Sequence, residues 1–241
     1  ARRNSAAKIT LLHAIQREVL LQNSDTPKVS LLVPICNVER YLRVCLDSAV
    51  AQTLNDIEII CINDGSTDSS PDIIREYMEH DPRVKMIDKA NSGYGDSMNH
   101  GLEMARGEYV GILESDDFMF EDSLQKLVAK ADAKHADAVK GDFYLYWSTP
   151  SERRELFGII DEHMTGAAYR PVDRPGIFYR KPSIWSAIYR REFLNDNQIR
   201  FLPTPGASYQ DAGFNFKVWA CAEPVSYTHL RSHETSLHLV C

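Results

Sequence analysis

Three carboxylates, Glu114, Asp116 and Asp117, fall within four residues directly after the apolar run Tyr109-Val110-Gly111-Ile112-Leu113. Like charges this close repel, so the cluster needs a counter-charge or a structural use. Glu114 and Asp116, two residues apart beyond a strand, can point to one side and share Mg²⁺ or Mn²⁺. Those ions take one or two protein carboxylates and complete the octahedron with water and phosphate oxygens. The same acids can instead cap a following helix, where a carboxylate near the N-terminus is worth about 0.3–1 kcal/mol. Asp64 follows the apolar run Ile57 to Ile62 and Asn63, placed to accept hydrogen bonds from a base N–H or a ribose hydroxyl. Its surroundings, Asp64-Gly65-Ser66-Thr67-Asp68, also read as a tight turn in which Asp68, Ser69 or Ser70 caps the next helix. Asp211 stands in the first turn of a helix expected from Ser208 to Trp219. There it is either a cap or, aimed into a cleft that holds a metal and phosphates, a general base contributing roughly 10²- to 10⁴-fold in rate.

Such residues act together only if a scaffold brings them to one place. Short apolar runs at 29–35, 57–62, 84–87, 109–113 and 136–139 alternate with helical patterns at 38–51, from Ser70, at 94–105 and at 121–133. Strands alternating with helices at this spacing predict an α/β fold, a mostly parallel sheet with helices on both faces. In such sheets ligands sit beyond the carboxyl ends of the strands. The first four strands deliver Pro34 to Asn37, Asn63 to Asp68, Asn91 to Gly95 and Glu114 to Asp117 to that rim. From Ser148 to Pro205 the alternation fades among prolines and scattered aromatics, which predicts an irregular half, with room for short antiparallel strands, over the same rim. An amphipathic helix is expected from Ser5 to Leu21, ahead of the Asn23 to Pro27 break.

Composition narrows the function. The chain has 241 residues and a formal charge of -7, with 34 acids against 27 bases and no long Lys/Arg cluster, which argues against a nucleic-acid surface. No apolar window is long enough for a transmembrane helix, and the start lacks the apolar core of a signal peptide. Five cysteines without C-x-x-C spacing read as reduced thiols, consistent with a cytoplasmic protein, free or at the inner face of the membrane. Gly93-x-Gly95 does not make a dinucleotide fingerprint, because it follows the third strand and Gly101 breaks the spacing. The chain begins without Met and reads as a fragment of something longer.

Four segments, "VSLLVPICNVERYL", "IICINDGSTDSS", "NSGYGDSMNHGLEMARGEYVGILESDD" and "YQDAGFNFKVW", together resemble the family 2 glycosyltransferases, from about Val29 to Trp219. The resemblance implies the A-type glycosyltransferase fold and inverting, metal-dependent transfer of a sugar from a nucleoside diphosphate donor, UDP-linked by preference. The acceptor it implies is a polysaccharide or glycolipid; the alternative is an inactive or truncated nucleotide-sugar-binding module. By the same resemblance Pro34, Asn37, Glu39, Asp64, Asn91 and Glu114 contact the nucleotide. Asp116 ligates Mn²⁺ or Mg²⁺, Asp211 is the catalytic base, and Trp185 and Gln210 lie on the acceptor side. Cys36, where the family often has Tyr, and Met98, where an Arg commonly precedes Asn99, depart from the pattern.

These readings divide the chain into a helix and linker at 1–27, a nucleotide-sugar-binding half at 28–147 and an acceptor and catalytic-base half at 148–224. Residues 225–241 stand apart. "VSYTHLRSHET" resembles the translation of a transposase sequencing adapter, so the clustered His229, His233 and His238 are not taken as a metal site. Among the aromatics, Trp147, Trp185 and Tyr189 are candidates for stacking on sugar faces or for ordinary packing. Lys181, Arg190, Arg191 and Lys217 are cations that can meet a diphosphate or simply face solvent.

Overall fold

The computed structural model describes residues 26–159, 168–206 and 209–228, so the helix expected at Ser5 to Leu21 lies outside the described residues. The parallel runs form as their composition dictates. Strands β1 (Val29–Ile35), β2 (Ile57–Asp64) and β4 (Tyr109–Ile112) are buried along their whole length. That accounts for mostly apolar runs, broken only by Ser30 and Glu58 before the polar strand ends, rather than alternation. With β3 (Val84–Lys89) they stand in the order β3-β2-β1-β4, all parallel. Helices α1 (Glu39–Val50), α2 (Ser70–His80), α3 (Tyr94–Met104) and α4 (Ser123–Lys134) connect and cover them. The order reverses at β1, so the gap between the ends of β1 and β4 is the crevice where such sheets receive ligands.

Beyond β4 the sheet becomes mixed. Strand β8 (Ala187–Arg190) inserts antiparallel between β4 and β5 (Ala138–Gly141), and β9 (Val225–Thr228) adds parallel to β5. The first four residues of the segment set apart at 225–241 thus form β9, with Val225, Ser226 and Tyr227 buried, and residues 229–241 lie outside the described ones. Strands β6 (Phe143–Trp147) and β7 (Arg153–Phe157) form a separate hairpin, and short helical turns lead to α5 (Arg191–Asp196) and α6 (Gln210–Cys221).

Two contacts dock the second half onto α3. Asn99 brackets Phe201, donating to its carbonyl at 3.0 Å and accepting from its amide at 2.9 Å. Phe201 stacks on Phe214 of α6 at 4.2 Å and meets the Tyr94 ring edge-on at 5.9 Å. The segment comes so close that a Cβ at Gly95 would stand 2.0 Å from the Leu202 carbonyl oxygen. Gly95→Ala is therefore expected to push this segment off α3, costing about 1–3 kcal/mol, read as a lower melting temperature. An unchanged melting temperature would show that the contact is not required.

Candidate active site

The crevice at the β1–β4 gap is a cleft of about 270 Å³ whose walls include Pro34, Cys36, Asp64, Asn91, Tyr94 and Glu114. Each wall is held by loop chemistry. Asn91 donates to the Asp64 carbonyl at 2.9 Å and to Cys36 Sγ at 3.4 Å. Gly65 lies at φ +65, and a Cβ there would stand 2.6 Å from the Asn91 amide, so the Asp-Gly turn permits this close approach.

Asp64 is the best-satisfied acid of the rim. It accepts from the Ser92 and Gly93 amides at 2.9 Å each and from Lys89 Nζ at 2.6 Å. Burial pushes its carboxyl up, but the Lys89 ammonium and the two amides outweigh it and hold Asp64 below the usual carboxylate range. A carboxylate accepts about four hydrogen bonds, so one direction remains for a ligand.

Glu114, Asp116 and Asp117 form the opposite case. Helix α4 begins at Ser123, too far along the chain for any of them to cap it. The Glu114 carboxylate accepts the Tyr94 hydroxyl at 2.7 Å. Burial pushes Glu114 up to about 7, with Asp116 and Asp211 pushing the same way against Tyr94. Asp116, half-buried, is also raised by burial. Asp117 is 1% exposed, and neither of its side-chain oxygens has a hydrogen-bond partner. Burial, then Asp116 and Glu114, push it up to about 9, opposed by Lys181.

Three acids raised together, one of them orphaned, suit a divalent cation. Among the described residues no three His, Cys, Asp or Glu side chains enclose one by themselves. One or two carboxylates suffice for Mg²⁺ or Mn²⁺ when phosphate oxygens and water complete the shell.

Asp211 enters from the other half of the chain. It sits half-buried in the first turn of α6, accepting from the Ala212 amide at 2.7 Å, and it acts electrostatically on Glu114, Tyr94 and Lys140. The fold thus brings Asp211 to the acidic rim across nearly a hundred residues.

Asn37 and Glu39 fall outside the cleft walls and do another job. Asn37 accepts from the Thr67 amide at 2.8 Å, and its own amide donates to Ser66 Oγ at 3.0 Å. Glu39 accepts from the Ser69 amide at 2.8 Å, while its own amide donates to Asp68 at 2.9 Å. The pair latches the loop after β1 to the loop after β2, and Asp68 also receives the Ser70 amide at 3.0 Å, while Ser69, at the N-cap position, makes no side-chain cap bond.

The acceptor-side expectations change. Trp185 is 8% exposed and packs edge-on against Phe143 at 4.5 Å, so this core residue offers no face to a sugar. Tyr189 is fully buried as well. Gln210, 3% exposed, pins the loop before α6 by donating to Thr204 Oγ1 at 2.9 Å. Exposed aromatic surface near Asp211 comes instead from Tyr209, 86% exposed. Tyr94, Lys89 and Lys140 escaped the sequence reading. The lysine in the short strand Ala138-Val139-Lys140-Gly141 was the one visible signal among them.

A profile of glycosyl transferase family 2 matches residues 30–218, from β1 through most of α6. The chain belongs to this family. Proteins similar to it include the putative glycosyltransferase EpsH of Bacillus subtilis, 33% identical over 89% of this chain and 62% of EpsH. The chondroitin synthase of Escherichia coli is 38% identical over 41% of this chain and 14% of its own length. Among solved structures, S. aureus TarS 1-349 in complex with UDP superposes with a TM-score of 0.70 at 25% identity, over 88% of this chain and 60% of that one. The mixed sheet is that of the A-type glycosyltransferase fold. The chain spans about three-fifths of the length of the first curated relatives it matches. Among the described residues no helix is long and apolar enough to cross a membrane.

Proposed function

We propose that the cleft binds a nucleoside diphosphate sugar, UDP-linked by preference, and that the chain transfers its sugar with inversion to a saccharide or glycolipid acceptor. The observation that carries this is that the charge of Asp211, from the second half, bears on Glu114 in the wall of the β1–β4 crevice. The fold shared with a relative solved with UDP supports the choice of nucleotide.

Pro34, Cys36 and Asn91 flank the nucleoside, and Asp64, already fixed by Lys89 and two amides, offers its remaining lone pair to the base or ribose. Asp116 with Glu114 holds Mn²⁺ or Mg²⁺, which when bound offsets the negative charge that gathers on a departing diphosphate. Asp211 takes the proton from the acceptor hydroxyl, whose oxygen attacks the anomeric carbon opposite the diphosphate, so the configuration inverts. Tyr209, two residues earlier and exposed, presents an aromatic face to the incoming sugar.

The acids give this reading a pH signature. Glu114 and Asp117 have folded pKa values raised to about 7 and about 9, so the folded protein holds protons that the unfolded chain releases. In the metal-free protein their contribution to stability therefore falls as pH rises from the ordinary carboxylate range through those values. A cation replaces those protons, so its stabilising effect must grow in the same direction. UDP with Mn²⁺ is expected to raise the melting temperature at pH 8, and by less at pH 6. A shift that is equal at both pH values, or larger at pH 6, would contradict a cation held by Glu114 and Asp116 beside Asp117.

A further inference from the structure

Lys89 ends β3 directly beside Asp64, its register partner at the end of β2, and its side chain is 14% exposed. The ammonium donates to Asp64 Oδ1 at 2.6 Å and to the Ala90 carbonyl at 3.1 Å, bonds Ser92 Oγ, and stands 3.3 Å from the Asp96 carboxylate of α3. Clamped between two carboxylates, it is committed to the protein rather than to a ligand. Its effect on the cleft is to use up an acceptor. The Ser92 amide also donates to Asp64 Oδ1, at 2.9 Å, so both lone pairs of that oxygen are taken. Oδ2 receives the Gly93 amide at 2.9 Å and keeps one lone pair, on a residue that lines the cleft.

We propose that Lys89 is a positioning residue that sets the base selectivity of the donor site: by occupying Asp64 Oδ1 it leaves a single acceptor, which favours uracil over guanine. This rests on the reading of the cleft as a nucleotide site with Asp64 on the base. A carboxylate with both oxygens open grips two neighbouring donors at once, such as the N1–H and N2–H of a guanine edge or the two hydroxyls of a ribose. Asp64 is closed to that grip. Uracil presents one donor, N3–H, between two carbonyl oxygens, and so matches the one lone pair. Guanine would bond through one N–H and bury the other without an acceptor, which costs more than a typical hydrogen bond contributes. The Ser92 and Gly93 donors are backbone amides, so of the three donors that hold Asp64 only Lys89 owes its place to a side chain.

Calorimetric titration in Mn²⁺ compares UDP, GDP and N3-methyl-UDP on wild type and on Lys89→Met. Wild type is expected to bind UDP at least about tenfold more tightly than GDP, and at least about tenfold more tightly than N3-methyl-UDP, which lacks the one donor. In Lys89→Met the freed Oδ1 accepts a second N–H. UDP therefore weakens, GDP does not weaken in step, and the preference for UDP over GDP falls at least about fivefold. Lys89→Gln, one atom shorter and uncharged, gives the same readout if Lys89→Met does not fold. A lysine with a merely structural role would weaken both nucleotides equally, so an unchanged preference in a folded variant overturns the proposal. Wild type that rejects N3-methyl-UDP yet binds UDP and GDP alike defeats the selectivity alone. Wild type that binds N3-methyl-UDP as tightly as UDP takes Asp64 off the base, and the proposal falls with that reading. Absence of binding by any of the three defeats the nucleotide site itself.

Discussion

Asp211→Asn lowers kcat for sugar transfer by roughly 10²- to 10⁴-fold while leaving UDP affinity within about twofold of wild type. The substitution is nearly isosteric. Its amide oxygen can still accept from the Ala212 amide, so the start of α6 stays in place and the fold is not the cause of the loss. What disappears is the ability to take a proton. Because Asp211 reaches the rim from the second half, whereas the nucleotide walls come mostly from the first, chemistry and donor binding should separate cleanly. Steady-state turnover with a UDP-linked donor, set beside calorimetric UDP titration, checks both halves of the statement. A variant that turns over normally would assign Asp211 to helix stability and leave the site without a base.

Asp116→Ala is expected to abolish the dependence of turnover on Mn²⁺ and to leave less than about a hundredth of wild-type activity at saturating metal. The acid is raised by burial, and its charge in turn pushes Glu114 and Asp117 up, so in the metal-free fold it disfavours their ionised forms. Removing one carboxylate relieves that repulsion. The variant should therefore melt no lower than wild type without metal, while losing the stabilisation that Mn²⁺ with UDP provides. Gain of stability with loss of function is the pattern that separates a ligand residue from a structural one. Normal Mn²⁺-dependent turnover in Asp116→Ala would move the metal to other residues.

Much of the first half was legible because its signals are local. Val29 to Ile35 and Ile57 to Ile62 are mostly apolar runs, broken only by Ser30 and Glu58, as strands buried on both faces require, and polar residues follow each one. The acids of the rim were visible for the same reason. What could not be read depends on partners far along the chain. Strand β8 sits between β4 and β5 although about fifty residues separate it from β5, and nothing in Ala187-Ile188-Tyr189-Arg190 announces that place. Asn37 and Glu39 look like cleft residues from their position after β1. Their hydrogen bonds to the loop after β2 turn them into a latch. Trp185 reads as a sugar platform by type, yet Phe143 covers it. Tyr94 carried no signal as a partner of Glu114, since their hydroxyl–carboxylate bond exists only once α3 and β4 lie side by side.

The most direct test of metal-dependent donor binding is calorimetric titration of the wild-type protein with UDP, in Mn²⁺ and again in EDTA. If the acids at Glu114 and Asp116 hold a cation for a diphosphate, UDP binds at least about tenfold more tightly with Mn²⁺, a difference of about 1.4 kcal/mol. Equal affinity in both conditions, or no binding to the folded protein, would contradict it.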